Sequence, residues 1–384
     1  MYELTNDQRL CFGLKPVEPD WVPMILKPSP YHKHTTVVYR DGLTLRKYIA
    51  SGPDRYVESE LQEQLSEDLK YLLPKTGKGK PVLLTAAALE KRGGTMMCLQ
   101  FIASGSYIDL FHHESQRCWY DNSYEDISPK TIDDFAAWVE DWCADTTPED
   151  LDAVASFARS KRVHVKYREG DVFRFKLSRR LYGYGRILLD YGLMRKRKEP
   201  MFDVLAGKSL ACAVYHIVTE RDDVTVEELK KLPCLPSTHI MDNRLYYGDF
   251  VIIGNVPLRE REDWPILYSA SFNAREKTVH LQCGRLHRCL PDTKELFGWR
   301  QFAQASTSFH LHYRMLPILR ACIEAGDNGP YWAGKNPRHD CDLRDPRFRG
   351  ELEQVCAQMG VEIDKLLDDS LGEAGIGSIS WTKI

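Results

Sequence analysis

Several features that would assign this sequence of 384 residues to a functional class are missing. No apolar run approaches the roughly 18 residues that a membrane-spanning helix needs, so we expect no membrane partner. The eleven cysteines include no CxxC pair, and the N-terminus does not resemble a secretory leader. This pattern favours reduced thiols in the cytoplasm. The net charge of −3 provides no general attraction to nucleic acid.

Motifs of nucleophilic and nucleotide chemistry are also missing. There is no GxSxG elbow, and the run 77–80 (GKGK) lacks the spacing of a phosphate-binding loop. The run 183–185 (GYG) has no third glycine at the position that a dinucleotide-binding loop requires. We therefore predict no catalytic residues and no cofactor.

Histidine and cysteine clusters are the remaining signals of metal chemistry. His32 and His34 precede a predicted strand, where residues two apart point to the same side, as in many hydrolase metal sites. His310 and His312 fall in a predicted helix, where side chains at this spacing diverge. The segment 280–289 (HLQCGRLHRC) lacks the paired spacing of a structural zinc site. We interpret all three clusters as ordinary side chains and predict no metal.

Length and patterning predict an α+β chain with several domains. We expect two β-rich domains, each a strongly bent antiparallel sheet or a partly open barrel, joined by a helix and followed by a helical C-terminal extension. In the extension, a helix is predicted at Phe302–Ala325, divided by Pro317. The predicted boundaries are an N-terminal α+β domain at 1–147, a helical connector at 148–162, a β-rich domain at 163–298 and the extension at 299–384.

The segment Glu169–Asp190 (EGDVFRFKLSRRLYGYGRILLD) is the most distinctive part of the chain. Phe173 and Phe175 alternate with charged residues, which is typical of a strand with one buried face. In the second half, Gly183 and Gly185 share one face of a strand, and this removes side chains where another group must pack closely. We interpret the segment as scaffold.

These residues resemble the start of immunity protein 26 domains, a family that is also described as phosphotriesterase HocA-like. The resemblance rests on 170–173 (GDVF) and 182–188 (YGYGRIL) and covers roughly 163–298. It implies an immunity protein of a bacterial polymorphic toxin system, which neutralises its cognate toxin by direct protein–protein binding. A metal-dependent phosphoester hydrolase and, less favoured, a nucleic-acid-binding module using the basic run Arg195–Lys198 stay open as alternatives. Self-association into a homo-oligomer also stays open.

Residue type suggests where such a partner would bind, because aromatic residues and arginine dominate binding hot spots and acidic surfaces attract basic partners. The candidate partner-binding residues are Tyr182, Tyr184, Arg186, Asp133, Asp134, Glu140 and Asp141. The first three belong to the Gly-spaced strand, and the four acids belong to a predicted helix.

Overall fold

The computed structural model describes residues 1–27, 34–74, 76–92, 96–202, 205, 207–259, 262–270, 278–291, 304–305, 311, 314–336 and 341–367. The chain divides into two units, Met1–His164 and Val165–Ile384. None of the helices in the described ranges combines the length and apolarity that crossing a bilayer requires.

Helices and strands alternate irregularly along the chain. The helices are α1 (Asn6–Cys11), α2 (Ala86–Arg92), α3 (Ile132–Ala144), α4 (Pro148–Phe157), α5 (Tyr191–Lys196), α6 (Val226–Leu229), α7 (Asn243–Tyr246), α8 (Met315–Ala325), α9 (Gly329–Ala333), α10 (Arg349–Gln358) and α11 (Ile363–Leu367). The strands are β1 (Val22–Leu26), β2 (Thr35–Asp41), β3 (Thr44–Gly52), β4 (Arg55–Leu65), β5 (Tyr71–Leu73), β6 (Val82–Leu83), β7 (Met97–Ile102), β8 (Tyr107–His112), β9 (Arg117–Asp121), β10 (Asp171–Lys176), β11 (Tyr182–Asp190), β12 (Ser209–Val214), β13 (Thr238–Met241), β14 (Val251–Asn255), β15 (Ile266–Ala270), β16 (Thr278–Cys283), β17 (Leu286–Pro291) and β18 (Gln304–Ala305).

The first unit is built on a nine-stranded antiparallel sheet. Its main path runs β1-β2-β3-β4-β7-β8-β9, and β5 pairs with both β4 and β6. Phe135, Val139 and Trp142 of α3 lie on one helix face and enter the same core as the sheet residues, because they recur at helical spacing. The predicted connector contains α4, whose Val154 and Phe157 belong to this core.

The second unit contains two open antiparallel sheets. One has the order β13-β12-β11-β10-β14, and the other has the order β17-β16-β15-β18. Helix α10 packs against the second sheet, because its Leu352 and Val355 share a core with Ile266 and Tyr268 of β15. The predicted α+β class is therefore confirmed, with open sheets and not closed barrels.

The C-terminal part differs from its predicted secondary structure. The helix expected at Phe302–Ala325 is wrong at Gln304–Ala305, which is strand β18 and pairs with β15. Helix α8 begins only at Met315, so Pro317 lies in its first turn. A proline in the first turn breaks no helical hydrogen bond, because the N–H groups there have no partner within the helix.

Candidate functional site

The β10–β11 hairpin is held by glycines that make room for aromatic rings. Gly185 pairs with Phe173, and Gly183 pairs with Phe175. A Cβ atom on Gly185 would lie 2.5 Å from Cζ of Phe173, and one on Gly183 would lie 2.8 Å from Cζ of Phe175. Side-chain atoms do not approach so closely, so any larger residue would push these rings aside. The interpretation of these glycines as packing positions is confirmed.

The candidate binding residues of β11 differ in exposure. Tyr182 is half-buried, and the Arg174 guanidinium lies 5.0 Å from its ring centroid. Tyr184 is fully buried, and its hydroxyl donates to the carbonyl of Arg221 at 2.9 Å. Arg186 is only 1% exposed. Tyr184 and Arg186 are therefore core residues and do not present the exposed ring and guanidinium of a hot spot, because both faces of this central strand are covered.

Arg186 forms a buried ion pair with Glu262. Its Nη1 also donates to the carbonyl of Pro257 at 3.3 Å. Glu262 is 9% exposed, and its Oε1 accepts from the backbone N–H of Arg259 at 2.7 Å. The pair thus fastens the segment that leads into β15 to the middle of the first sheet of this unit.

The predicted acidic surface lies on α3. Asp133, Glu140 and Asp141 are exposed, and none of them has a basic partner among the described residues. Asp134 is exposed too, but its carboxylate accepts from the backbone N–H groups of Lys130 at 2.8 Å and Thr131 at 2.9 Å. Those two hydrogen bonds lower the pKa of Asp134. Asp134 therefore completes a capping box with Thr131, the N-cap residue of α3, and the other three carboxylates are exposed.

A cavity of about 770 Å³ lies within the second unit. Strands β11 and β12 supply Leu188 and Ala213, and the loop before β13 supplies the run 233–236. Trp332 of α9 and Leu352 of α10 line it from the C-terminal part. The cavity is therefore formed by residues that are far apart in the sequence, and they include the part of the chain that the resemblance does not cover.

Most charges on the cavity wall are paired. Glu262 pairs with Arg186. Asp263 lies 2.9 Å from Arg344, and the Asp345 carboxylate lies 2.6 Å from Arg347. These contacts hold the carboxylates in place, since each accepts from a cation with a defined geometry.

Two buried polar atoms near this wall have no hydrogen-bond partner among the described residues: Nε of Arg186 and Oη of Tyr215. Burial raises the pKa of Tyr215 to about 12, although the nearby charges of Arg186 and Arg259 act in the opposite direction. Burial also raises the pKa of the Cys234 thiol to about 11. The Tyr215 hydroxyl and the Cys234 thiol are therefore neutral at physiological pH.

The histidine clusters form local contacts. His34 is buried, with Nε2 at 3.7 Å from Oε1 of Glu90, whereas His32, His310 and His312 lie outside the described residues. In the 280–289 segment, Nδ1 of His280 lies 3.0 Å from Nε2 of His287. Burial lowers the pKa of His287 to about 4. Within the described ranges, no three His, Cys, Asp or Glu side chains come together as a metal site would require.

Comparison with known proteins gives a match to a protein family. Residues 168–279 match the family model described as Immunity protein 26. The resemblance seen in the sequence is therefore confirmed over this segment, which contains strands β10 to β15 and the first residues of β16. No curated protein matches the chain, and no solved structure matches it.

Proposed function

We propose that this chain is an immunity protein that neutralises a cognate bacterial toxin in the cytoplasm by binding it directly. The observation that carries the proposal is the match of residues 168–279 to the immunity protein 26 family. The residues on which the sequence resemblance rests are mostly buried glycines and aromatic residues, and these shape a scaffold on which surfaces can be presented.

The acidic face of α3 is the proposed contact for a basic toxin. Asp133, Glu140 and Asp141 are exposed on one helix and lack a basic partner in the described part of the chain. A surface of one sign attracts an oppositely charged partner during encounter and increases the association rate. Tyr182 is the proposed contact on the β10–β11 hairpin, because its ring is half-buried and is held in place by Arg174.

Co-expression tests the proposal. A strain that carries the toxin gene adjacent to this one should grow only when this chain is co-expressed, and the two proteins should co-purify in a fixed ratio. The proposal is wrong if this chain neither restores growth nor forms a complex with that toxin.

Charge reversal at α3 tests the surface. The triple substitution Asp133→Lys, Glu140→Lys, Asp141→Lys should lower the association rate with the toxin by about tenfold or more, with an effect that shrinks in high salt. The control carries Glu18→Lys, Asp20→Lys and Glu67→Lys, three exposed acids of the same unit, so the net charge changes equally. Equal effects of the two triple variants would remove α3 from the interface and leave the immunity function untouched.

A further inference from the structure

The cavity of the second unit has the size and lining of a small-molecule site. Its volume of about 770 Å³ falls within the roughly 300–1,000 Å³ of typical ligand pockets. The apolar part of its wall comes from Leu188, Ala213, Leu235, Trp332, Leu343 and Leu352. Such a wall favours a ligand with an apolar body, because burial of that body removes it from water.

Among the described residues, the charges that line the cavity include one cation without an acidic partner. Each lining carboxylate already has a basic partner: Arg186 for Glu262, Arg344 for Asp263 and Arg347 for Asp345. The lining cation Arg344 is held by Asp342 and Asp263, and Arg349 is held by Glu353 at 2.9 Å.

Arg259 is that remaining cation. It lines the cavity, it is exposed, and its guanidinium has no acidic partner among the described residues. Its backbone N–H donates to Glu262, and this bond fixes the start of the side chain beside the cavity wall. Within the described part of the chain no group accepts from the guanidinium, so its donors are available for a group that enters the cavity.

The geometry points to a binding site for a small amphiphilic anion, with one carboxylate or similar acidic group paired to Arg259 and an apolar body packed between β11, β12 and the C-terminal helices. Arginine suits this role because its planar fork binds carboxylates in a bidentate manner. The site shares no residue with the proposed toxin contacts, which are Tyr182 and the acidic face of α3.

Fluorescence of anilinonaphthalene sulfonate tests the site, because this probe has an apolar aromatic body and one anionic group. The full chain should bind the probe saturably in a ratio of one to one, while it keeps its cooperative unfolding transition. Arg259→Gln should raise the probe Kd about tenfold or more, as the loss of a charge-assisted hydrogen bond would. Octanoate should displace the probe at concentrations at which octanol does not.

Two further variants distinguish probe binding in the cavity from a general effect of the charge of the protein. Lys231→Gln removes one positive charge from an exposed residue outside the cavity lining and should leave the Kd unchanged. Pro346→Trp adds a ring at an exposed lining position and should reduce probe binding, because it fills part of the space. Absence of saturable binding, or a Kd that is unchanged in both Arg259→Gln and Pro346→Trp, would overturn the proposal.

Discussion

The two units bury glutamates in different ways. In the first unit, Glu58 is fully buried and accepts from Lys47 at 2.6 Å, from Arg9 at 2.8 Å and from Tyr56 at 2.5 Å. In the second unit, Glu262 pairs with one cation among the described residues, Arg186, and lines a cavity. A carboxylate that is fully enclosed by donors contributes to stability alone, whereas one on a cavity wall also shapes the surface that a ligand would meet.

The largest expected effect on the free energy of unfolding comes from substitution of Glu58. Glu58→Gln leaves Lys47 buried without its ion-pair partner and leaves Arg9 with Glu3 alone, so we expect a loss of about 3–5 kcal/mol in the free energy of unfolding, measured by urea denaturation. Glu67→Gln is the control at an exposed position of the same unit and should change the free energy by less than about 0.5 kcal/mol. A loss at Glu58 as small as at Glu67 would show that the network contributes nothing.

Substitution of Glu262 is expected to lower the free energy of unfolding by a smaller amount. Glu262→Gln keeps an acceptor for the N–H of Arg259 but removes the charge that pairs with Arg186. We expect the free energy of unfolding, again measured by urea denaturation, to fall by about 2 kcal/mol. This is less than the loss expected for a fully enclosed ion pair, because water can enter the cavity beside Glu262. Glu227→Gln, at an exposed residue of the second unit, is the control. A loss that equals or exceeds that of Glu58→Gln would contradict the contrast between the two sites.

The pH dependence of stability gives the smallest expected effect. Burial alone would raise the pKa of Glu58, but Lys47 and Arg9 outweigh it and lower that pKa, so its contribution is present above pH 4.5 and is lost as the pH falls through the lowered value. Burial raises the pKa of Glu60, against the hydrogen bond from the Lys15 N–H. Its contribution is therefore present below pH 4.5 and is lost as the pH rises through the raised value.

Glu60→Gln isolates the second of these contributions. In the wild type, the ionisation of Glu60 should lower the free energy of unfolding as the pH rises from 4.5 toward neutrality. The variant should lack this decrease, which is measured by urea denaturation at a series of pH values. Parallel pH profiles for the two proteins would show that the pKa of Glu60 is the same in the folded and unfolded chain.

The sequence predicted local elements better than long-range ones. Strands β10 and β11 follow from the alternation around Phe173 and from the glycines of 183–185, because both signals act within a few residues. The helix predicted from Phe302 is wrong at Gln304–Ala305, because pairing with β15 decides the conformation there. Tertiary pairing overrides a local pattern in short segments of this kind.

The candidate sites show the same difference between local features, which the sequence predicted, and long-range features, which it did not. The acidic residues of α3 were recognised because they lie close together in one helix. The cavity was missed, because Leu188, Arg259 and Leu352 are brought together only by folding. The sequence left open whether Tyr184 and Arg186 are core or surface residues, because the pattern of one strand does not show which elements cover its two faces.

The C-terminal limit of the family match has a practical consequence. The match ends at residue 279, one residue after β16 begins at Thr278. A fragment ending there would lack β17 and α10, and it would leave Ile266 and Tyr268 without the core that they share with Leu352 and Val355. The matched stretch is thus shorter than the stretch that contributes to this core. A fragment that is expressed to obtain the second unit should therefore extend at least to residue 367, where α11 ends.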